Sequence, residues 1–235
     1  MRLDKYLVEN GFFESRNQAH SAIKDRNVFV NGVIVQKPSF LVEEDDSVRV
    51  LEKIRYVSRA GDKLKEFLKD KEIELKDKVC LDIGSSTGGF TQVLLEYGAE
   101  SVTAVDVGNK QLHHSLRDDK RVRLYENTDI RDFKSDEKFD MVTCDLSFIS
   151  VETILDNILE FARGELILLF KSQFEVGKDV KRDRKGVVKD QKAIERVLRD
   201  FESELVKRGY KVLIKEESKI KGKEGNVEYF FYIKK

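Results

Sequence analysis

The stretch Val79-Cys80-Leu81-Asp82-Ile83-Gly84-Ser85-Ser86-Thr87-Gly88-Gly89-Phe90-Thr91 reads as a buried strand, a glycine-rich turn and a helix start in direct succession. Val79, Cys80, Leu81 and Ile83 supply the short apolar run of a strand covered on both faces. Gly84, Gly88 and Gly89 remove the side chains that would keep a ligand from the backbone. Beyond the turn, Phe90, Val93, Leu94 and Tyr97 recur at helical spacing. A second strand then ends at Asp106, about twenty residues on, where such folds place a carboxylate against a ribose.

Several familiar ligands do not suit this turn. A phosphate-gripping P-loop needs Gly-Lys-Ser/Thr, and here Gly88 is followed by Gly89 and Phe90. Ser86 stands where the second glycine of G-x-G-x-x-G would admit a pyrophosphate. A cofactor without a pyrophosphate fits better, and S-adenosylmethionine (SAM) is one. Its amino-acid end can lie along Gly84, Ser85 and Gly88 while its ribose reaches Asp106. The plainer alternative is a tight strand-to-helix turn in an α/β domain that binds nothing.

The bulk numbers bound the rest. The 235 residues carry 37% charged and 40% apolar side chains with a formal net charge of zero, which describes a soluble, charge-rich globular chain with room for two domains. No run of about eighteen apolar residues is present, and Met1-Arg2-Leu3-Asp4 begins structured sequence without a signal peptide. The expectation is a cytoplasmic protein with no membrane segment. Cys80 and Cys144 lie in predicted strands and read as core thiols in a reducing compartment. The three histidines and two cysteines form no ligand-spaced cluster, so no metal is expected. Cations crowd two places, Lys53 to Lys71 and Lys171 to Lys189, as solvated surface or as a footprint for a polyanion.

Residues 1–51 read as a small α+β module. Helices are expected at Leu3–Glu9 and Arg16–Lys24, and strands near 28–30, 33–35 and 48–51, with Asn31-Gly32 as a two-residue hairpin turn. A linker is expected at 52–57, without the Gly/Ser tract of a free tether. From Ser58 an amphipathic helix runs through Lys69. Strands follow at 79–83, 101–106, 122–125, 139–145, 165–171, 210–217 and 227–233, with helices near 89–97, 110–117, 151–162 and 189–208. Alternation of this kind implies a mainly parallel sheet with helices on both faces. Gly222 to Gly225 turns the last two strands into an antiparallel edge pair.

The N-terminal module resembles the alpha-L RNA-binding domain first known from a ribosomal small-subunit protein. Arg2-Leu3-Asp4-Lys5-Tyr6-Leu7, Ser15-Arg16-Asn17-Gln18-Ala19 and Val28-Phe29-Val30-Asn31-Gly32 carry the match. The resemblance implies RNA contacts at Arg2, Arg16, Lys24, Arg26 and Asn31. Farther on, Lys63, Asp145, Lys171 and Glu228 stand at strand ends or helix starts, where an open α/β sheet keeps its ligand crevice. They resemble the Lys-Asp-Lys-Glu tetrad of FtsJ-like RNA ribose 2′-O-methyltransferases, and the whole chain looks like the TlyA (haemolysin A) family of rRNA 2′-O-methyltransferases. The fold so implied for 58–235 is a Rossmann-like SAM-dependent methyltransferase sheet.

The resemblance implies methylation of a ribose 2′-hydroxyl, a poor nucleophile that must be positioned and deprotonated. Lys171 would take the proton, provided burial and nearby Lys63 favour its neutral form. Asp145 would hold Lys171 and meet the methyl-bearing region of SAM, and Lys63 and Glu228 would orient the ribose. Asp106 would bind the SAM ribose and Asp129 the adenine amino group, while Asp82 would act directly or brace the turn. Arg59, Lys181 and Arg182 would meet RNA phosphate. Ser172 replaces a proline common in the family, implying a more mobile loop, and Ala60 replaces a glycine. The short form of the chain implies a cytidine of large-subunit rRNA as target, with rRNA or a ribosomal subunit as partner. Two other readings stand beside this one: a haemolysin or membrane-active protein, and a non-catalytic RNA-binding assembly factor.

Overall fold

Asn31 and Gly32 take positive φ values of 52° and 79°, closing a two-residue hairpin between β1 (Val28–Val30) and β2 (Val33–Ile34). The computed structural model describes residues 1–24, 26–50 and 56–235, and divides into two compact units, Met1–Arg59 and Ala60–Lys235. Leu51 and the expected linker positions 52–55 lie outside the described residues. In the first unit β3 (Val48–Val50) pairs with the other edge of β1, giving the order β2-β1-β3. Helices α1 (Leu3–Glu9) and α2 (Arg16–Lys24) bury Leu3, Leu7, Ala19 and Ile23 with Val28 and Val30. Helix spacing and strand alternation thus deliver one shared core.

The second unit is built on a seven-stranded sheet with the order β6-β5-β4-β7-β8-β10-β9. The strands are β4 (Val79–Ile83), β5 (Ser101–Val105), β6 (Val122–Tyr125), β7 (Phe139–Cys144), β8 (Ala162–Phe170), β9 (Lys211–Glu217) and β10 (Tyr229–Lys234). The first five run parallel, and β10 pairs antiparallel with both β8 and β9. Neighbours on β10 show the layering. Phe230 stacks on Phe67 of α3 (Arg59–Leu68) with ring centroids 4.4 Å apart and faces Phe90 of α4 (Gly89–Glu96). Phe231 meets Phe201 edge-on from the opposite layer, 5.2 Å away. Successive side chains of a strand point to opposite faces, so the two phenylalanines lock helices onto both sides of the sheet.

The remaining helices depart from the sequence expectation. Only α5 (His114–Arg117) forms where a helix was expected over 110–117, because Lys110 sits at φ 55° and the Gln111 N–H donates to the Glu126 carboxylate instead of a helical carbonyl. The expected helix at 151–162 is a 3-10 turn, Glu152–Ile154, followed by α6 (Leu155–Phe161). Its C-cap, Ala162, is already extended and opens β8 three residues earlier than the sequence implies. A four-residue helix, α7 (Ser172–Glu175), stands where no helix was anticipated, ahead of α8 (Gln191–Lys207). The connection from β9 to β10 runs over 218–228, longer than a tight hairpin, and its final residue is Glu228.

Candidate active site

The strand order reverses between β4 and β7, and the ends of these strands form the crevice in which open α/β sheets bind ligands. Gly84 follows β4 at φ 77°, and a Cβ there would lie 2.9 Å from the Asp145 carbonyl oxygen and 2.9 Å from Leu146 Cδ2. Only glycine lets the two strand ends come this close. Asp145 follows β7 and its N–H donates to Ile83 O at 3.0 Å. Because Tyr229 pairs with Phe170, the start of β10 lies beside the end of β8, which brings Glu228 and Lys171 to the same rim.

The rim holds two ion pairs, one buried and one in which Asp145 is partly exposed. Lys171 Nζ lies 2.6 Å from Asp145 Oδ1 and donates to Ser147 Oγ at 2.8 Å. Lys63, on α3, donates from Nζ to Glu228 Oε2 at 2.7 Å, and both side chains are at most one-tenth exposed. Gly222 leaves room for this carboxylate, since a Cβ there would fall 2.5 Å from Glu228 Oε1. Gln173, two residues after Lys171, reaches one of the pairs, its Nε2 approaching Glu228 Oε1 at 3.5 Å. Ser172 donates to Val227 O at 3.3 Å, fastening the same two segments. Four expected residues from distant parts of the chain are therefore brought together as two neutralised pairs. Such burial of charge requires a partner for every group.

An open cleft of about 600 Å³ adjoins this rim, lined by Gly84, Asp106, Asp129, Leu146, Ser147 and Ile149 among others. Asp106 anchors one wall: its Oδ2 accepts from Ser86 N at 2.8 Å and its Oδ1 from Gly108 N at 2.7 Å, with further lone pairs left on each oxygen. Asp129 is gripped by the Arg131 guanidinium, which holds its carboxyl down at about 2. Ser85 Oγ is buried without a hydrogen-bond partner among the described residues, an unspent polar atom at the glycine turn. A cofactor with an amino-acid end, a ribose and an exocyclic amine fits this donor and acceptor set.

Two expected cofactor residues have other surroundings. Asp82 is fully buried and does not line the cleft; it accepts from Thr91 Oγ1 at 2.6 Å and Thr143 Oγ1 at 3.0 Å, bracing the turn from beneath. Burial pushes its carboxyl up to about 6, against the pull of the two threonine hydroxyls. Gly88, at φ 94°, packs under Leu112 and Leu116, where a Cβ would come within 2.7 Å of both. Its missing side chain serves backbone conformation and packing.

Residues expected at an RNA surface are distributed unevenly. Asp4, fully buried, accepts from Arg2 at 3.0 and 3.1 Å, from Arg16, and pairs with His20 Nε2 at 2.8 Å. The Arg2 guanidinium and its companions hold the Asp4 carboxyl well below the usual carboxylate range. Asn31 binds Asp46 Oδ1 and Ser47 N, so its side chain closes the neighbouring turn. Lys24 and Arg26 are exposed, and Arg59 is partly buried at the start of α3. Lys181 is exposed, whereas Arg182 donates to the carbonyls of Gln173, Gly177, Lys178 and Val180 and ties its own loop together.

Sequence reasoning missed Ser147, Gln173, Glu175 and Phe148. Phe148 is 91% exposed at φ 66°, on the loop that carries Ser147. Bulky residues rarely enter that region of backbone space. An aromatic in Asp145-Leu146-Ser147-Phe148, directly after an apolar strand, was the signal available.

Residues 56–235 match the family described as FtsJ-like methyltransferase, and residues 1–48 match the S4 domain. A Campylobacter jejuni protein named 23S rRNA (cytidine-2′-O)-methyltransferase TlyA is 49% identical over 99% of this chain and 98% of its own length. The Mycobacterium tuberculosis protein named 16S/23S rRNA (cytidine-2′-O)-methyltransferase TlyA is 36% identical, over 99% of this chain and 89% of its own. A solved structure described as "Putative hemolysin from Streptococcus thermophilus" has a TM-score of 0.77 at 34% identity, covering 100% of this chain and 88% of that one. Among the described residues no helix is long and apolar enough to cross a membrane. The chain belongs to the TlyA family, in which an S4 domain precedes an FtsJ-like methyltransferase.

Proposed function

We propose that this protein methylates the 2′-hydroxyl of a cytidine in rRNA, with SAM as methyl donor and the large ribosomal subunit as the source of its target. The observation that carries this reading is the pairing of Lys171 with Asp145 and of Lys63 with Glu228 on one rim, beside a cleft that holds Gly84, Asp106 and Asp129. The subunit assignment is supported by the 49% identical relative, which is named for 23S rRNA alone.

Gly84 and Ser85 would hold the amino-acid end of SAM, Asp106 its ribose and Asp129 its adenine amino group. Bound there, SAM supplies an electrophilic methyl group on a sulfonium centre. To act as the base, Lys171 must first give up the proton it holds in the ion pair with Asp145; it then takes the hydroxyl proton at Nζ and ends as an ammonium. Asp145 and Ser147, 2.6 and 2.8 Å away, stabilise that ammonium as it forms. Lys63 and Glu228 orient the ribose. Phe148 offers an exposed aromatic face to an unstacked base, the usual way a protein reads single-stranded RNA. In the N-terminal unit, Lys24 and Arg26 are exposed cations available to RNA phosphate, and on the later loop Lys181 takes that part. Cytoplasmic location follows from this substrate.

Transfer of labelled methyl from SAM to both isolated bacterial ribosomal subunits and to their naked rRNAs tests this, with Lys171→Ala as control and the modified nucleoside identified by mass. The reading expects 2′-O-methylcytidine from large-subunit RNA and none from the variant. Label on a base, or on no RNA by wild-type protein that binds SAM, contradicts it.

A further inference from the structure

Residues 147–151 and 171–175 are fastened together by three successive rungs. Lys171 Nζ donates to Ser147 Oγ at 2.8 Å, the Phe174 ring lies 5.3 Å from that of Phe148, and Glu175 accepts from Ser150 Oγ at 2.6 Å and from Val151 N at 2.9 Å. The first rung belongs to the reacting centre and the second carries the exposed phenylalanine. The third belongs to neither, because Glu175 lines neither the cleft nor the two ion pairs. It nevertheless ionises against resistance: burial pushes its carboxyl above the usual range, with Glu152 adding repulsion, while its two hydrogen bonds pull the other way.

The loop it grips needs restraint. Phe148 combines 91% exposure with φ 66°, two states that a phenylalanine leaves when it can. Leu146 and Ile149 of the same loop line the cleft, so an unrestrained Phe148 has apolar surface close by to fall onto. The Phe174 contact is ring against ring and sets no backbone. Glu175 fixes the backbone N–H of Val151 and the side chain of Ser150, the exit of the loop.

We propose that Glu175 is a positioning residue for RNA engagement, holding the loop so that Phe148 stays presented to the substrate base. This rests on the reading of Phe148 as a stacking surface. Glu175→Gln keeps the geometry, since its Oε1 can accept from Val151 N and its Nε2 can donate to Ser150 Oγ. Glu175→Ala releases both.

The test measures methyl transfer to a mixture of both bacterial ribosomal subunits over a concentration series, for Glu175→Ala, Glu175→Gln, Phe148→Ala and the double alanine variant. SAM affinity without RNA is measured beside it as a check on folding. The expected result is a KM for subunits raised about tenfold in Glu175→Ala, with kcat within about twofold and SAM affinity unchanged, a loss of uniform binding rather than of chemistry. Glu175→Gln should return KM to within about twofold of wild type, and the double variant should be no worse than Phe148→Ala. Wild-type KM in Glu175→Ala, failure of Gln to rescue, or additive losses in the double variant would each overturn the inference while leaving the Phe148 reading intact. An unchanged KM in Phe148→Ala would overturn both, and equal loss of SAM binding in Glu175→Ala would reduce its role to fold stability.

Discussion

Two clusters of buried charge, one in each unit, solve the same problem differently. At the sheet rim the charges are buried or, for Asp145, nearly so, and each cation has its own anion: Lys63 and Glu228 are 10% and 4% exposed, Lys171 and Asp145 9% and 13%. Around Asp4 the anion is buried but Arg2, Arg16 and His20 are 48%, 58% and 40% exposed. The arginines around Asp4 stay about half in water and share one anion. The rim charges depend on one another. Charge that is held dry and paired is poised for chemistry, and charge that is half in water serves to hold a fold together.

The largest expected effect lies at the rim. Glu228→Gln leaves Lys63 buried opposite a neutral group, and kcat at saturating RNA and SAM should fall by about 10²-fold or more, equivalent to about 3 kcal/mol of transition-state stabilisation. A fall of less than about threefold would mean that the pair is structural.

Asp82 sharpens the contrast, because it is buried with hydroxyl partners and, among the described residues, no cation. Its carboxyl stands at about 6 in the folded protein against a usual 3.8. The folded state therefore binds the proton more tightly, and wild-type stability should fall as pH rises from about 4 through about 6. Asp82→Asn should lack that slope and gain up to about 3 kcal/mol on wild type by pH 7, the gap closing below pH 4. Urea unfolding across pH reads it, and parallel pH profiles would break the argument.

Asp4 has the opposite sign. Its carboxyl is depressed, so the stability it supplies is present above pH 4 and lost as pH falls further. Asp4→Asn should cost about 2 kcal/mol at pH 7, less than a fully buried pair because the arginines remain half in water. Hydrogen exchange in α1 and α2 of the full chain measures it. Arg16→Ala should cost under about 1 kcal/mol by the same measurement, since Arg2 and His20 remain. A loss as large as that of Asp4→Asn would erase the distinction between the two clusters.

What could be read from the sequence follows the same divide. The strands at 79–83 and 122–125 were legible to the residue, the first as an apolar run and the second as an alternating one. Lys63, Asp145, Lys171 and Glu228, singled out at strand ends or helix starts and by resemblance to a family tetrad, lie on one rim as two ion pairs. Helix α7 was not, since four residues carry no periodicity. Leu112 and Leu116 stand four apart as on a helix, yet Lys110 in the left-handed region prevents one before His114. Arg182 looked like a phosphate contact because sequence records its charge and not the four carbonyls of its own loop. Ser147, Gln173 and Glu175 acquire meaning only when residues 147–151 meet 171–175 and Glu228, a tertiary event with no local signature.

The most direct test of the account is the single-turnover rate of methyl transfer by Lys171→Ala, measured alongside its affinity for SAM. The account predicts a rate at least about 10²-fold below wild type, the lower end of what a positioned proton acceptor contributes, with SAM affinity within about threefold. Near-normal transfer with intact SAM binding would contradict it, placing the proton acceptor elsewhere and leaving Lys171 as a partner for Asp145.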